Sequence, residues 1–419
     1  MRQRIYMVID LKSFYASVEC VERGLDPMEA KLVVADPERT DRTICLAVSP
    51  ALKALGVKNR CRVYEIPKDI EYIMAPPRMA LYLKRSAEIY AVYLKYISMY
   101  DIHVYSIDEA FLDVTEYLKM YGMRARVLAE TIMQDILDTT GITATCGLGT
   151  NLYLAKVALD ITAKHSPDRI GMLDEKRYCQ TLWNHTPLTD FWRIGPGIAA
   201  RLEGLGIRTM GQLAHTNEEL IYRLFGIDAE LLIDHAWGRE TTTIPDIKAY
   251  KPKSNSLGSG QVLPCGYPYD KGRLIVEEMA DLLVLDLVDK RLITESATLY
   301  LGYDFHAEKS HANGTTRFDK PTSSTKKILD AILQLYDKIG VREGTLHRVN
   351  ITFNNVMDEV YEQMDFFSDP ITDEKEKNLQ RAMVELKKRF GRNAIVKGMN
   401  LQEGARTLER NEQIGGHKA

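Results

Sequence analysis

The sequence predicts a multidomain α+β protein organised around a ferredoxin-like βαββαβ core. Three observations carry this. Over residues 1–165 the apolar periodicities run β-α-insertion-α-β-β-α-β-α, which reduces to βαββαβ once the piece at 31–75 is set aside. A hairpin in the middle of that run carries two adjacent carboxylates, Asp108 and Glu109, at its tip. The 419 residues exceed what one core serves, and the character of the chain changes near 173 and again near 241.

Ile5–Ile9 is a near-continuous apolar run ending in Asp10, the pattern of a central strand buried on both faces. From Phe14 the spacing of Phe14, Val18 and Val21 is helical, so Ser13 falls where a helix start offers free N–H groups to an anion. The insertion reads as a strand at Leu32–Ala35, a charged loop at 36–42, a second strand at Thr43–Val48 and a short helix at Pro50–Leu55 closed by Gly56. Lys53, Lys58, Arg60 and Arg62 make it locally basic. A tyrosine-rich helix at Met79–Ile97 leads into the hairpin. There Ile102, Val104 and Ser106 alternate on one arm and Ala110, Leu112 and Val114 on the other. A helix at Ala125–Leu137, an alternating strand at Ile142–Gly149 and a helix at Leu152–Ala163, ending at Lys164, complete the core.

Short helical patterns follow from about 173, with Gly195-Pro196-Gly197 between two of them. A Gly-x-Gly turn lets backbone N–H groups come close to a phosphate, and it serves equally as a plain helix–helix turn. Residues 241–255 show little apolar periodicity and contain Pro245 and Pro252, a linker pattern. A third domain pairs helices at Ile275–Leu287 and Ser324–Ile339 with strands at Ser296–Tyr303 and Val349–Val356. The last sixty residues are charged and poor in apolar residues. A charged amphipathic helix fits Lys375–Phe390, and 415–419 reads as disordered.

Composition narrows the class. Hydrophobic content of 45% and charged content of 27% are globular values, and no apolar run is long enough to span a bilayer. The N-terminal apolar run is too short for a signal peptide. Six scattered cysteines without a CxxC argue against zinc and a disulfide framework and fit a reducing cytoplasm. A net charge of −3 gives no overall nucleic-acid signature, so any such contact rests on local clusters.

Adjacent carboxylates at a strand end repel each other. In most chains they are a solvated turn, but a divalent cation held by oxygens makes them useful. In a βαββαβ sheet the end of the first strand neighbours the central hairpin, so Asp10, Asp108 and Glu109 converge.

Asp10-x-x-x-Phe14-Tyr15-Ala16-Ser17-Val18-Glu19 together with Ser106-Ile107-Asp108-Glu109-Ala110-Phe111-Leu112-Asp113 resembles the motif pair of the Y-family translesion DNA polymerases. The likeness extends through Gly147–Lys156 and Ile194–Gly197, over roughly residues 1–360. Ala51–Lys58 and the C-terminal extension are most similar to the branch holding the catalytic subunit of bacterial DNA polymerase V and its Gram-positive relatives.

The resemblance implies a right-hand polymerase: palm at 1–13 and 79–172, fingers at 14–78, a helix-hairpin-helix thumb at 173–240, a linker at 241–252, an α/β little finger at 253–358 and a tail at 359–419. It implies template-directed, low-fidelity synthesis past damage without proofreading, using two Mg²⁺ ions for which Mn²⁺ substitutes. Asp10, Asp108, Glu109 and the Leu11 carbonyl would be the ligands.

By the same resemblance Ser13 and Phe14 present amides to the triphosphate and Lys164 reaches its phosphates. Tyr15 is the steric gate, and Leu46 and Ala47 roof the nascent base pair. Two positions depart from the pattern. Pro50 and Lys53 stand where many members carry Tyr and Arg, leaving Lys53 a point charge without a bidentate fork. Arg60 stands where some members have a small residue. Gly195 and Gly197 match the DNA-backbone contact of the thumb.

Gln363-Met364-Asp365-Phe366-Phe367 resembles the bacterial sliding-clamp peptide, with Gln363, Phe366 and Phe367 as anchors. The implied partners are primer–template DNA, dNTP and the clamp, with accessory subunits or a recombinase filament as further candidates. Competing readings are another palm-domain nucleotidyl enzyme and a catalytically weak DNA-binding scaffold.

Overall fold

A computed structural model of the chain describes residues 4–304, 309–359 and 370–419 and divides into two units, Met1–Tyr250 and Lys251–Ala419. In the first unit the chain runs β1 (Tyr6–Leu11), α1 (Phe14–Val21), β2 (Leu32–Val34), β3 (Ala47–Val48), α2 (Pro50–Ala54), β4 (Ile73–Ala75), α3 (Met79–Leu94), β5 (Ile102–Val104) and β6 (Glu109–Asp113). It continues through α4 (Thr115–Tyr121), α5 (Ala125–Thr140), β7 (Ala144–Gly149), α6 (Leu152–Val157) and β8 (Ile170–Leu173). The main sheet has the order β5-β6-β1-β7-β8, and β1 is antiparallel to both β6 and β7. Without β8 this is the ferredoxin-like order. β1 is central because Met7, Val8 and Ile9 carry apolar side chains to both faces and are wholly buried.

Gly147 and Gly149 explain how tightly α6 sits on that sheet. A Cβ at Gly147 would lie 2.1 Å from the Ala155 carbonyl oxygen, and one at Gly149 would lie 2.2 Å from the Ala155 nitrogen. The helix expected to continue to Ala163 stops at Val157. It passes into a π-helical turn at Ala158–Thr162 and a 3₁₀ turn at Ala163–His165 that carries Lys164. The insertion forms its own sheet, β3-β2-β4, around Val33, Cys45, Val48 and Leu52. The expected strand at 43–48 pairs regularly only at Ala47–Val48, with Ile44 bridging to Arg62.

Helices α7 (Glu175–Leu182), α8 (Pro196–Glu203), α9 (Met210–Ala214), α10 (Glu218–Phe225) and α11 (Asp228–Ala236) share one core with α6 through Tyr153, Leu154 and Val157. The stretch expected as a linker contains α12 (Ile244–Ala249). Its start is closed by a capping box between Thr243 and Asp246, and Ile244 is buried against Tyr6, Val8 and Phe111. Six residues of poor periodicity hid a helix whose apolar contact is almost a single side chain.

The second unit runs β9 (Ser256–Tyr267), α13 (Tyr269–Asp289), β10 (Leu292–Tyr303), β11 (His311–Thr322), α14 (Thr325–Ile339), β12 (Leu346–Asn354) and β13 (Met357–Asp358). Its sheet order is β11-β10-β12-β9, packed by α13 and α14 over Ile275, Met279, Leu299, Leu301, Ile332, Ile351 and Phe353. The C-terminal residues, expected as a sparse tail, include α15 (Pro370–Phe390), α16 (Thr407–Asn411) and a hairpin of β14 (Gln413–Ile414) with β15 (His417–Lys418). The end read as disordered turns back at Gly415 and Gly416, both with positive φ. Gln363, Phe366 and Phe367 lie outside the described residues.

Candidate active site

Asp10 is the one residue of β1 that is not fully buried, next to the strand's last residue Leu11, and its register partner on β6 is Glu109. The Leu11 amide donates to the Asp108 carbonyl at 2.9 Å, so the hairpin turn is fixed to the end of β1. Asp108 is steadied by the Ser106 hydroxyl, which donates to its Oδ1 at 2.7 Å. The Ile107 carbonyl accepts from Ser86 Oγ at 2.6 Å. The sheet therefore brings Asp10, Asp108 and Glu109 together from positions almost a hundred residues apart.

Burial raises the Asp10 carboxyl to about 7. The neighbouring Asp108 and Glu109 charges push the same way, and Lys156 opposes. Glu109 is also raised by burial, with Lys156 pulling it down. Its Oε2 accepts from Lys156 Nζ at 2.9 Å, while its buried Oε1 has no hydrogen-bond partner among the described residues. Nor do three Asp, Glu, His or Cys side chains close on one point as a finished metal cage among those residues. The donor set is nonetheless hard oxygen throughout, crowded with like charge and left with one orphaned carboxylate oxygen. Those properties fit a hard divalent cation.

A cationic group faces the acids. Lys53 is held below its ordinary value chiefly by desolvation. Asp10 and Asp108 pull it up, while Lys12 and Lys164 push it down. Lys53 Nζ donates to Ser13 Oγ at 2.9 Å. Ser13 itself sits in the left-handed region at φ 50°, and its hydroxyl makes no bond to the amides of α1. The start of α1 therefore has no side-chain cap, beside three lysines. Lys12 was not singled out from the sequence, where it looks like any exposed lysine.

Tyr15 stacks on Tyr82 with ring centroids 4.5 Å apart and planes 16° apart. Tyr82 is fully buried and donates to Glu19 Oε1 at 2.7 Å. Arg78 grips the same carboxylate from Nε at 2.9 Å and from Nη2 at 2.8 Å, and Arg23 adds a third cationic contact. This brace behind Tyr15 was not legible in the sequence because its members come from in and around α1 and the start of α3, some sixty residues apart.

Ala47 begins β3 of the insertion sheet and Leu46 stands just before it, where the Leu46 amide donates to the Val34 carbonyl at 2.8 Å, and β3 packs on α1. Gly195 and Gly197 are exposed at the start of α8, with nothing within 4 Å of either missing Cβ. The fold does not itself require glycine there, so the space is open to a ligand. Just before them, Trp192 Nε1 donates to the Tyr105 hydroxyl at 3.2 Å, beside the hairpin that carries Asp108 and Glu109.

In the second unit, one face of the sheet is left uncovered by α13 and α14. It presents Thr298, Tyr300, Thr315, Arg317, Arg348 and Thr352, and the Thr298 and Thr315 hydroxyls lie 2.8 Å apart. The sequence reading found no basic stripe here because this is a face of hydroxyls and amides with few charges.

A model of the impB/mucB/samB family matches residues 9–160, and the model of its C-terminal domain matches residues 256–366. UvrX of Bacillus subtilis, a protein named for UV-damage repair, is 29% identical over 99% of this chain and 97% of its own length. Proteins named DNA polymerase IV 2 are 27% identical in Bacillus subtilis, over 100% of this chain and 99% of theirs, and 27% identical in Halalkalibacterium halodurans, over 99% of each. Among solved structures, a Y-family DNA polymerase chimera of Dbh and Dpo4 superposes with a TM-score of 0.65 at 21% identity. It covers 84% of this chain and 99% of the chimera.

Proposed function

The chain belongs to the Y family of translesion DNA polymerases, and on that premise we propose that Asp10, Asp108 and Glu109 form the centre at which it adds deoxynucleotides to a primer end opposite damaged template. It is a right-hand polymerase with a palm, fingers, thumb and little finger. The observation that carries the site assignment is the meeting of those three carboxylates at the ends of two central strands, near Lys12, Lys53 and Lys164.

Asp10, Asp108, Glu109 and the Leu11 carbonyl would hold two divalent ions, Mg²⁺ with Mn²⁺ as its substitute. Bound there, such ions would supply charge neutralisation for the displacement at the nucleotide's phosphate. The rest is positioning by the chain's own groups. Lys53 and Lys164, with Lys12, attract the triphosphate, and the uncapped start of α1 at Ser13 and Phe14 offers it N–H donors.

Tyr15, braced by Tyr82, bars a 2′-hydroxyl, and Leu46 and Ala47 cover the base pair. The amides at Gly195 and Gly197 and the polar sheet face of the second unit hold the DNA backbone. A net charge of −3 implies a weak intrinsic grip, which the peptide at Gln363, Phe366 and Phe367 offsets by tethering to the sliding clamp. Two alternatives are less favoured: a cyclase-like palm enzyme would share the acids but need no hairpin thumb or clamp peptide, and an inert scaffold would not need Asp10, Asp108 and Glu109 intact.

The test is primer extension past an abasic site or pyrimidine dimer with Mg²⁺ or Mn²⁺. Extension is expected to fall by at least a thousandfold, roughly 4 kcal/mol of lost transition-state stabilisation, in Asp108→Ala. In the same assay Tyr15→Ala raises ribonucleotide use. Alanine at Gln363, Phe366 and Phe367 removes stimulation by the clamp and leaves unassisted extension intact. Wild-type extension by Asp108→Ala would overturn the site assignment, and an unchanged ribonucleotide ratio or clamp effect would overturn those two roles.

A further inference from the structure

Lys156 is the one buried cation in contact with a proposed metal ligand among the described residues, and the fold brings it there by a demanding route. It lies on α6, anchored by Asn151, whose side chain caps Leu154 N at 2.8 Å and donates to the Gly238 carbonyl at 2.8 Å. Glu109 lies on β6, two strands away from β7, the strand on which α6 packs. Only the bare backbones of Gly147 and Gly149 let α6 come close enough.

Lys156 Nζ then reaches Glu109 Oε2 at 2.9 Å and Asp160 Oδ1 at 3.0 Å, with the lysine and glutamate side chains 10% and 9% exposed. Burying an ion pair gains little stability over well-packed apolar side chains, so stability alone does not account for the pair. Its effect on the carboxylate is specific: one oxygen is engaged and the other, Oε1, is left without a partner.

We propose that Lys156 is a positioning residue that serves as a resident counter-cation on Glu109, setting how strongly the carboxylate cluster attracts divalent ions before DNA and nucleotide arrive. The inference rests on the metal-ligand reading above. An ammonium and a divalent cation draw on the same carboxylate charge, so each weakens the hold of the other. Asp160 moderates the effect, because it takes a share of the ammonium away from Glu109.

Direct Mn²⁺ binding to the full-length protein, without DNA or nucleotide and read from the free-ion paramagnetic signal, tests this. Lys156→Met is expected to tighten Mn²⁺ binding by about tenfold, as removal of a nearby like charge should. Asp160→Asn is expected to weaken it by several-fold, and Lys156→Arg to stay near wild type. Simple loss of packing moves Lys156→Met the other way. Unchanged or weaker binding by a Lys156→Met protein that melts like wild type overturns the proposal. If that variant does not fold, Asp160→Asn decides: unchanged or tighter binding overturns it. A wild-type protein with no Mn²⁺ site sensitive to Asp108→Ala would instead remove the metal-ligand reading.

Discussion

Asp10 is the penultimate residue of a strand whose preceding Met7, Val8 and Ile9 are wholly buried, and its carboxyl is raised to about 7 by its own burial and then by Asp108 and Glu109. A carboxyl whose folded value exceeds its unfolded value of about 4 favours the folded state most below pH 4. That contribution is lost as pH rises through about 7. The metal-free protein is therefore expected to lose stability across that window, and Asp10→Asn to melt about 3–6 °C higher than wild type at pH 8 while losing primer extension. Added Mg²⁺ should raise the wild-type melting temperature and leave the variant's unchanged. Thermal melts at pH 5 and pH 8, with and without metal, check the sign. A variant that melts lower at pH 8 would show that Asp10 is not strained by its neighbours. At this scale the sequence was informative where chemistry shows as residue type, as for the acids, and where a motif resemblance singled residues out, as for Tyr15 and Lys53. It was silent where function depends on a side chain's neighbour, as with Tyr82 behind Tyr15 and Lys156 beside Glu109.

Elements were legible in proportion to the apolar face they bury. β1, α5 and α13 have that face and could be read. β9 and β11 escaped notice because they are the edges of the second sheet, and one whole face of each is polar. α12 escaped because Ile244 alone anchors it deeply. β7 shows the converse: its alternation was readable, but the reason for its glycines was not. Gly147 faces α6, and a methyl there would meet the Ala155 carbonyl at 2.1 Å and the Leu159 nitrogen at 2.4 Å, both backbone atoms that cannot rotate aside. Gly147→Ala is expected to push α6 from the sheet, costing about 3 kcal/mol or more, and to carry Lys156 out of reach of Glu109. A urea titration should show the midpoint falling, with metal-dependent extension lost in whatever fraction remains folded. A wild-type midpoint would mean that α6 does not depend on this contact.

At the scale of the whole molecule, a chain of two units should unfold in two steps, and the C-terminal residues decide the stability of one of them. Glu278 on α13 is 2% exposed, and its carboxylate accepts from the Asn400 side chain at 2.9 Å and from the Arg406 amide at 2.8 Å. Asp281, one turn on and 3% exposed, is paired with Lys397. Arg410 reaches back to Gln261 on β9 at 3.3 Å. What composition presented as a charged tail is thus the set of partners for two carboxylates buried in α13, and charge content alone cannot distinguish the two cases. Deleting residues 397–419 leaves both acids without these partners, a cost of about 3–5 kcal/mol for each buried charge that is not re-solvated. Scanning calorimetry should then show the transition of the second unit about 10 °C lower or absent, with that of the first unit unmoved. Glu278→Leu in the shortened chain should recover part of the loss, because it removes the unpaired charge rather than restoring its partner. A second transition indifferent to the deletion would mean that those acids find other partners, and that the C-terminal residues rest on the domain without holding it together.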